Sequence, residues 1–293
     1  MRHTSLLIVT LLLFPSTLRA AEPKIVRGIF YTEAKHEQQT LDVYARAEGK
    51  NHPIAIWIHG GGWHSGDKKE VGSKPQAFTD QGYVFVSINY QLWPNVTIKQ
   101  IAEDVAKAIR WTHEHGAEYG GDPKRLFVLG HSAGAQLAAL VCTDERYLKA
   151  EKLSFAVIKG CVPVDGDTFD LAMRFATVEK SGNQKLAERD KERFGDEQLQ
   201  KELSSVTYIA KGKNIPPFLI LHVADHPDTT GQSQRLFKAL RDAEVPARIH
   251  PAEGKNHTTI NDDLGTPSDK PTQALFEFLG TVLKDPEGAE RSP

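Results

Sequence analysis

Cysteine is scarce in this chain. There are two in 293 residues, too few for a small fold stapled by disulfides or for a thiolate metal centre. Surplus charge is also missing. Thirty-six basic residues stand against 38 acidic ones, a formal net charge of -2, so the basic footprint of a nucleic-acid partner is lacking. Neither G-x-x-x-x-G-K-[ST] nor G-x-G-x-x-G occurs, which argues against a phosphate cradle. His113 and His115 are the most closely spaced histidines on an expected helix, but an i,i+2 pair points to different sides, so no metal or organic cofactor is expected. No internal repeat and no long low-complexity tract interrupts the chain.

Long hydrophobic runs are absent with one exception, Leu6–Phe14. Arg2 and His3 precede it, Pro15 and Ser16 break it, and Leu18-Arg19-Ala20-Ala21 resembles a cleavage site. Residues 1–20 therefore read as a secretory signal peptide, too short for a comfortable membrane span. The expectation is export to the periplasm or the extracellular space, with no stable membrane insertion after signal removal. A retained membrane anchor is the alternative. Export permits a disulfide, yet Cys142 and Cys161 are expected to stay free and buried. Cys142 lies ten residues down a helix from Ser132, about 15 Å at 1.5 Å per residue. Cys161 falls near the upper end of its strand, and a disulfide needs Cα atoms within roughly 7 Å.

What remains is a hydrophobic content of 40%, enough for one large domain over residues 21–285, followed by a flexible tail over 286–293. Strand-like segments recur at Ile25–Tyr31, Thr40–Tyr44, Ile54–Ile58, Tyr83–Asn89, Leu126–Leu129, Phe155–Cys161, Phe218–Val223 and Ala247–His250. Helical segments fall at Ile98–His115, Ala133–Cys142, Gly231–Ala243 and Lys270–Leu283. The later strands alternate with helices. This predicts an α/β fold with a mostly parallel central sheet of about eight strands and helices on both faces. Residues 165–215, rich in Lys, Glu, Asp and Gln, form a lid-like insertion. Within it Lys185–Arg193 and Glu197–Leu203 read as short solvated helices. Its alternative reading is a plain surface elaboration.

The most informative stretch is Leu126–Gly134, LFVLGHSAG. An apolar strand feeds Gly130-His131-Ser132-Ala133-Gly134, a match to G-x-S-x-G, and a buried helix follows. Strand, sharp turn and helix are the setting of a nucleophile elbow. The glycines have a steric reason, since side chains there would collide with neighbouring strand and helix. Upstream, Ile54–Ile58 leads into His59-Gly60-Gly61-Gly62-Trp63, whose glycines leave N–H groups uncovered and able to face an anionic oxygen. Downstream, Pro217–Val223 is followed by Asp225 and Asp228. A carboxylate at a strand end can orient a histidine. Asp225 is the nearer candidate and Asp228 the runner-up, the latter also suiting a helix cap. His257 sits in a loop after the last strand, free to reach the serine, whereas His250 is held within its strand. Ser132, Asp225 and His257 thus follow the order Ser, acid, His.

HGGG, GHSAG, SINYQLWP (87–94), DVAKAIRW (104–111), YGGDPKRLFVLGHSAGAQLAAL (119–140) and PFLILHVAD (217–225) together resemble the esterase branch of the α/β-hydrolase fold. The similarity extends to hormone-sensitive-lipase-like carboxylesterases, xylan-acetyl and feruloyl esterase-like proteins, and kynurenine formamidases. It runs from about Ile54 to Leu279. The resemblance implies that Ser132, Asp225 and His257 form a catalytic triad. It also implies that Gly61, Gly62 and Ala133 supply oxyanion-hole N–H groups, with Gly60 shaping the loop. Gln91 stands where relatives carry the arginine of Tyr-Arg-Leu, and Val223 replaces a glycine common after the strand-end histidine. The implied activity is serine-dependent hydrolysis of carboxylic esters with short acyl groups, acetyl or feruloyl among them, on small-molecule or polysaccharide-linked substrates. Formamidase-type amide hydrolysis and a non-catalytic binding domain are the alternatives.

Overall fold

Period-two alternation through the central apolar runs gives each strand two buried faces, so the sheet must be covered on both sides. The computed structural model describes residues 22–46 and 48–284; the expected signal peptide and C-terminal tail lie outside the described residues. In chain order the elements are β1 (Lys24–Phe30), β2 (Thr40–Ala45), β3 (His52–Ile58), α1 (Lys74–Asp80), β4 (Val84–Ile88), α2 (Ile98–His115), β5 (Gly121–His131), α3 (Ala133–Thr143), α4 (Glu145–Ala150), β6 (Ile158–Val164), α5 (Leu171–Ser181), α6 (Gln184–Phe194), α7 (Glu197–Leu203), β7 (Phe218–Val223), α8 (Pro227–Asp242), β8 (Ala247–Ala252), α9 (Thr259–Asp262) and α10 (Lys270–Lys284).

The eight strands form one sheet in the order β1-β2-β4-β3-β5-β6-β7-β8. β2 runs antiparallel to β1 and β4, and the remaining pairings are parallel. Ile54, Ile56 and Ile58 of β3 face one layer with Ile101, Val105 and Ile109 of α2 and the alanines of α3. Ala55 and Trp57 face the other, with Phe78 of α1 and Leu275 and Phe278 of α10. α3 is buried along its whole length, which accounts for its small side chains: a fully covered helix this close to a sheet has room for little else. Among the described residues no helix is long and apolar enough to cross a membrane.

The expected strands recur with shifted ends, and one shift matters. β6 begins and ends three residues later than the apolar run Phe155–Cys161 suggests. Residues Phe155–Val157 form a 3₁₀ turn, and the pairing with β5 continues to Pro163 opposite Gly130 and Val164 opposite His131. A proline is tolerated there although its nitrogen cannot donate. Cys161 is therefore mid-strand rather than near the top. It meets Cys142, whose thiol is its hydrogen-bond partner; both are free and buried. The free thiols match expectation, while the difference in height on which that expectation rested is not found. α8 starts at Pro227, with proline in the first turn, four residues before the expected helix. In the insertion, α6 and α7 fall where short helices are expected, but α6 is not wholly solvated: Asp190, Arg193 and Phe194 are buried.

Two glycines test the packing. A Cβ at Gly134 would lie 2.2 Å from the Ile58 carbonyl oxygen and 2.6 Å from that of His59. Gly134→Ala is expected to lower the melting temperature by several degrees, since overpacking costs about 1–3 kcal/mol and a domain of this size loses about 2–4 °C per kcal/mol. Gly280, inside α10, gives the opposite sign. A methyl group added there would meet nothing within 4 Å, and Gly280→Ala should raise stability by about 0.5–1 kcal/mol. Thermal denaturation of both variants reads the difference.

Candidate active site

The sheet's parallel strands deliver their C-terminal ends to one edge, where the loops converge. Ser132 follows β5 directly and has φ 56 and ψ -118, a conformation sparsely populated by residues other than glycine. The neighbouring glycines make it possible. A Cβ on Gly130 would sit 2.2 Å from the Gly134 carbonyl oxygen, so strand and helix approach backbone to backbone on either side of the serine. The Ser132 N–H donates to the Val164 carbonyl at 2.9 Å, which pins the turn to β6. Ala133 then opens α3, whose first N–H groups have no intrahelical acceptor.

The loop after β3 closes over this turn. The His59 ring stacks on Tyr90 with centroids 4.3 Å apart, and the Tyr90 hydroxyl donates to the His59 carbonyl at 2.9 Å. A Cβ on Gly60 would lie 3.2 Å from the Ser132 Cβ, so the glycine permits contact with the serine. Gly61 and Gly62 have φ of 105 and 58. Among the described residues no backbone carbonyl accepts from either N–H. The Trp63 indole donates to Gln136 Oε1 at 3.3 Å, and Gln136 Nε2 donates to the Leu203 carbonyl at 2.9 Å. One side chain of α3 thereby joins the glycine loop to the end of α7.

His257 lies between β8 and α9. Its Nε2 is 2.9 Å from Ser132 Oγ, and its Nδ1 is 2.6 Å from an oxygen of Asp165. This corrects the expected acid. Asp225 is exposed in the turn after β7, and among the described residues no hydrogen bond joins it to His257. Asp228 lies in the first turn of α8, where a carboxylate complements the helix dipole. The cause is the longer β6. Once that strand runs to Val164, Asp165 is the first residue beyond it, on the strand adjacent to the one that carries Ser132. The signal was present in the sequence as an apolar run, Cys161-Val162-Pro163-Val164, ending in an aspartate. Ending the strand at Cys161 hides it.

Asp165 is held firmly. It is buried at 1% exposure, its N–H donates to Leu221 at 2.8 Å, and its Oδ1 accepts from the Val223 N–H at 2.9 Å. Burial alone would push its carboxyl up. Hydrogen bonds from His257, the Val223 N–H and Thr229, with the His257 charge, outweigh burial and bring it below the ordinary value. The Asp165 hydrogen bond correspondingly raises His257 above its usual value, against the lowering effect of its own partial burial. Val223, a departure from the relatives' glycine, acts here through its backbone N–H and so leaves the acid undisturbed. Gln91, the other departure, joins a buried network in which Asp104 accepts from Gln39 at 2.6 Å and from the Gln91 N–H at 3.2 Å.

Two residues that sequence reasoning passed over hold the histidine loop. His131 Nε2 is 2.9 Å from the His257 carbonyl. Burial, and secondarily the nearby His257, push His131 down to about 3, so it is neutral and acts as the donor. Lys74 is buried against the Trp57 ring, 4.7 Å from its centroid, and donates to the Asn261 carbonyl of α9 at 2.7 Å. Burial lowers it to about 8. Among the described residues no group of three or more His, Cys, Asp or Glu side chains could hold a metal.

The BD-FAE family model matches residues 41–240. Esterase LipQ of Mycobacterium tuberculosis is 29% identical over 273 residues, covering 87% of this chain and 62% of that protein. A probable isoprenylcysteine alpha-carbonyl methylesterase of Oryza sativa subsp. japonica is 25% identical, covering 87% and 64% respectively. The chain thus spans less than two-thirds of the length of these relatives. Esterase B of Lactobacillus rhamnosis, solved with a bound inhibitor, superposes with a TM-score of 0.75 at 22% identity, covering 92% of this chain and 91% of that one. The architecture is accordingly the α/β-hydrolase fold.

The coupling between His257 and Asp165 can be measured directly. Followed by NMR, the His257 imidazole should titrate above its ordinary value of about 6.5. In Asp165→Asn the raising influence is lost and burial remains, so the titration should move below that of the wild type. An unchanged midpoint would contradict the pairing.

Proposed function

The chain belongs to the BD-FAE family, and we propose that it hydrolyses carboxylic esters through an acyl-enzyme, with Ser132 as nucleophile, His257 as general base and acid, and Asp165 as the acid that orients the imidazole. The observation that carries this reading is the continuous hydrogen-bonded line from Ser132 Oγ through His257 Nε2 and Nδ1 to Asp165, with distances of 2.9 and 2.6 Å. A hydroxyl is a weak nucleophile at its own pKa and needs such a base.

As Oγ attacks the ester carbonyl, its proton passes to His257 Nε2. The resulting imidazolium is stabilised by the buried Asp165 carboxylate, which stays ionised. The carbonyl oxygen becomes an oxyanion held by the N–H groups of Gly61, Gly62 and Ala133, and one such donor contributes about 3–4 kcal/mol to the transition state. His257 then protonates the departing alkoxide. A water molecule gives its proton to the same nitrogen and attacks the acyl-enzyme, and Ser132 recovers its proton as the acid leaves. His131, neutral and bonded to the His257 backbone, positions the base without sharing the proton.

Short acyl groups, acetyl or feruloyl among them, on small or polysaccharide-linked alcohols suit this site, and residues 165–215 act as its outer wall. The link from Gln136 to Leu203 supports that role, because it ties the insertion to the helix behind the serine. The signal-peptide reading of residues 1–20 directs the chemistry to substrates outside the cell.

Ser132→Ala should reduce kcat on 4-nitrophenyl acetate by at least ~10⁴-fold, and Asp165→Asn by a similar factor. Asp225→Ala should remain within about threefold of wild type. Loss in Asp225→Ala with retention in Asp165→Asn would reverse the assignment of the acid. The pH profile gives a further check. The base must be neutral, so kcat/KM should fall as pH drops through the raised His257 pKa, with an acid limb above pH ~6.5. A flat profile between pH ~5 and ~8 is incompatible with His257 as base.

A further inference from the structure

Arg193 at the end of α6 is a buried cation that makes no ion pair at contact distance, with Asp190 and Asp167 acting on it only from further away. It is 7% exposed, and its Nε has no hydrogen-bond partner. Among the described residues no ion pair or side-chain hydrogen bond reaches it. The two carboxylates best able to serve are already engaged by Arg174, which holds Asp190 at 3.0 Å and Asp167 at 2.5 Å. Arg193 is packed against rings instead. Its Cζ lies 5.1 Å from the centroids of both Trp63 and Trp93, and 6.0 Å from that of Phe194. Burial, with the charges of Arg189 and Arg174, outweighs the attraction of Asp190 and Asp167 and disfavours its charged form.

The position adjoins the glycine loop, because Arg193 packs on the ring of the residue that follows Gly62. Trp63 ends the glycine loop, and the Trp93 N–H donates to the Trp63 carbonyl at 2.9 Å. Gly60, which touches Ser132, is three residues from Trp63, at most about 11 Å of chain. The Asp167 carboxylate acts electrostatically on both His257 and Arg193. Contacts between a guanidinium and ring faces leave its N–H edges, and those edges match a planar carboxylate in a two-pronged hydrogen bond. The aromatic rings beside it suit the apolar part of a small ester.

We infer that Arg193, framed by Trp63 and Trp93, is a specificity-determining residue that receives a carboxylate carried by the ester substrate. The inference rests on the ester-hydrolase reading above. The carboxylate belongs either to the acyl chain or to the alcohol, and the two sources call for different substrates.

The test uses the full chain and measures kcat/KM in matched pairs, with spontaneous hydrolysis subtracted. For the acyl side, mono-4-nitrophenyl succinate, glutarate and adipate are compared with 4-nitrophenyl butyrate, pentanoate and hexanoate. For the alcohol side, 4-acetoxybenzoate is compared with phenyl acetate. In Arg193→Met the anionic-to-neutral ratio should fall at least ~10-fold in one arm, the loss expected for a hydrogen bond to a charged group; Arg193→Lys should restore part of it. A ratio unchanged within about twofold in both arms overturns the inference, whatever the absolute rates. Should Arg193→Met fail to fold, Arg193→Gln is measured in the same pairs; a ratio unchanged within about twofold in both arms overturns it equally. Neutral esters turned over with no role for Arg193 leave the esterase reading standing. Absence of turnover on every ester removes both.

Discussion

The carbonyls of Ile58 and His59 press against the α-carbon of Gly134, and the site's geometry depends on that approach. With a side chain there, α3 would stand away from β3 and the turn would open. Held this closely, the chain between Gly130 and Gly134 has no route except through a positive φ at Ser132. The same closeness brings the loop after β3 into contact with the serine, since Gly60 also faces its Cβ. Ser132 and the glycine loop are therefore positioned by one steric constraint, and the constraint is made of backbone atoms.

Asp165 and His257 are brought to Ser132 by a second principle, adjacency in a parallel sheet. β6 lies next to β5, and β7 next to β6. Asp165 at the end of β6 is bonded through its own N–H to β7 and through its carboxylate to the Val223 N–H. It presents its remaining oxygen to His257. That loop is in turn held from below by His131 and, through α9, by Lys74. Both supporting side chains are buried bases whose charged forms are disfavoured by burial. One is neutral and donates through a ring nitrogen, while the other relies on an aromatic face and a carbonyl for compensation.

Much of this was legible in the sequence, for identifiable reasons. The elbow declares itself because its requirements are local: a strand, two glycines and a helix within a dozen residues. His257 could be chosen because a loop histidine after the last strand has few rivals. The acid was not legible in the same way: Asp225 and Asp228 were the candidates, and Asp165 joins them only once it is known where β6 stops. That end is decided by pairing with two neighbouring strands, which overrides the tendency of Pro163 to terminate. The same shift misplaced Cys161. The buried C-terminal end of α6 was hidden because Arg193 reads as a solvent residue until the Trp63 and Trp93 rings that cover it are known, and those two come from loops about a hundred residues or more away.

Helix α3 is buried along its entire length, and that has a consequence for how the protein adapts to what it binds. A seat enclosed by a sheet on one side and helices on the other cannot yield to an incoming molecule. Adjustment must come from the far side of the cleft, from the polar excursion between β6 and β7, which Gln136 joins to the buried helix at the Leu203 carbonyl. Change in what is accepted can then accumulate in that excursion beyond Asp165 while the residues around Ser132 stay as they are, an anvil under interchangeable tools.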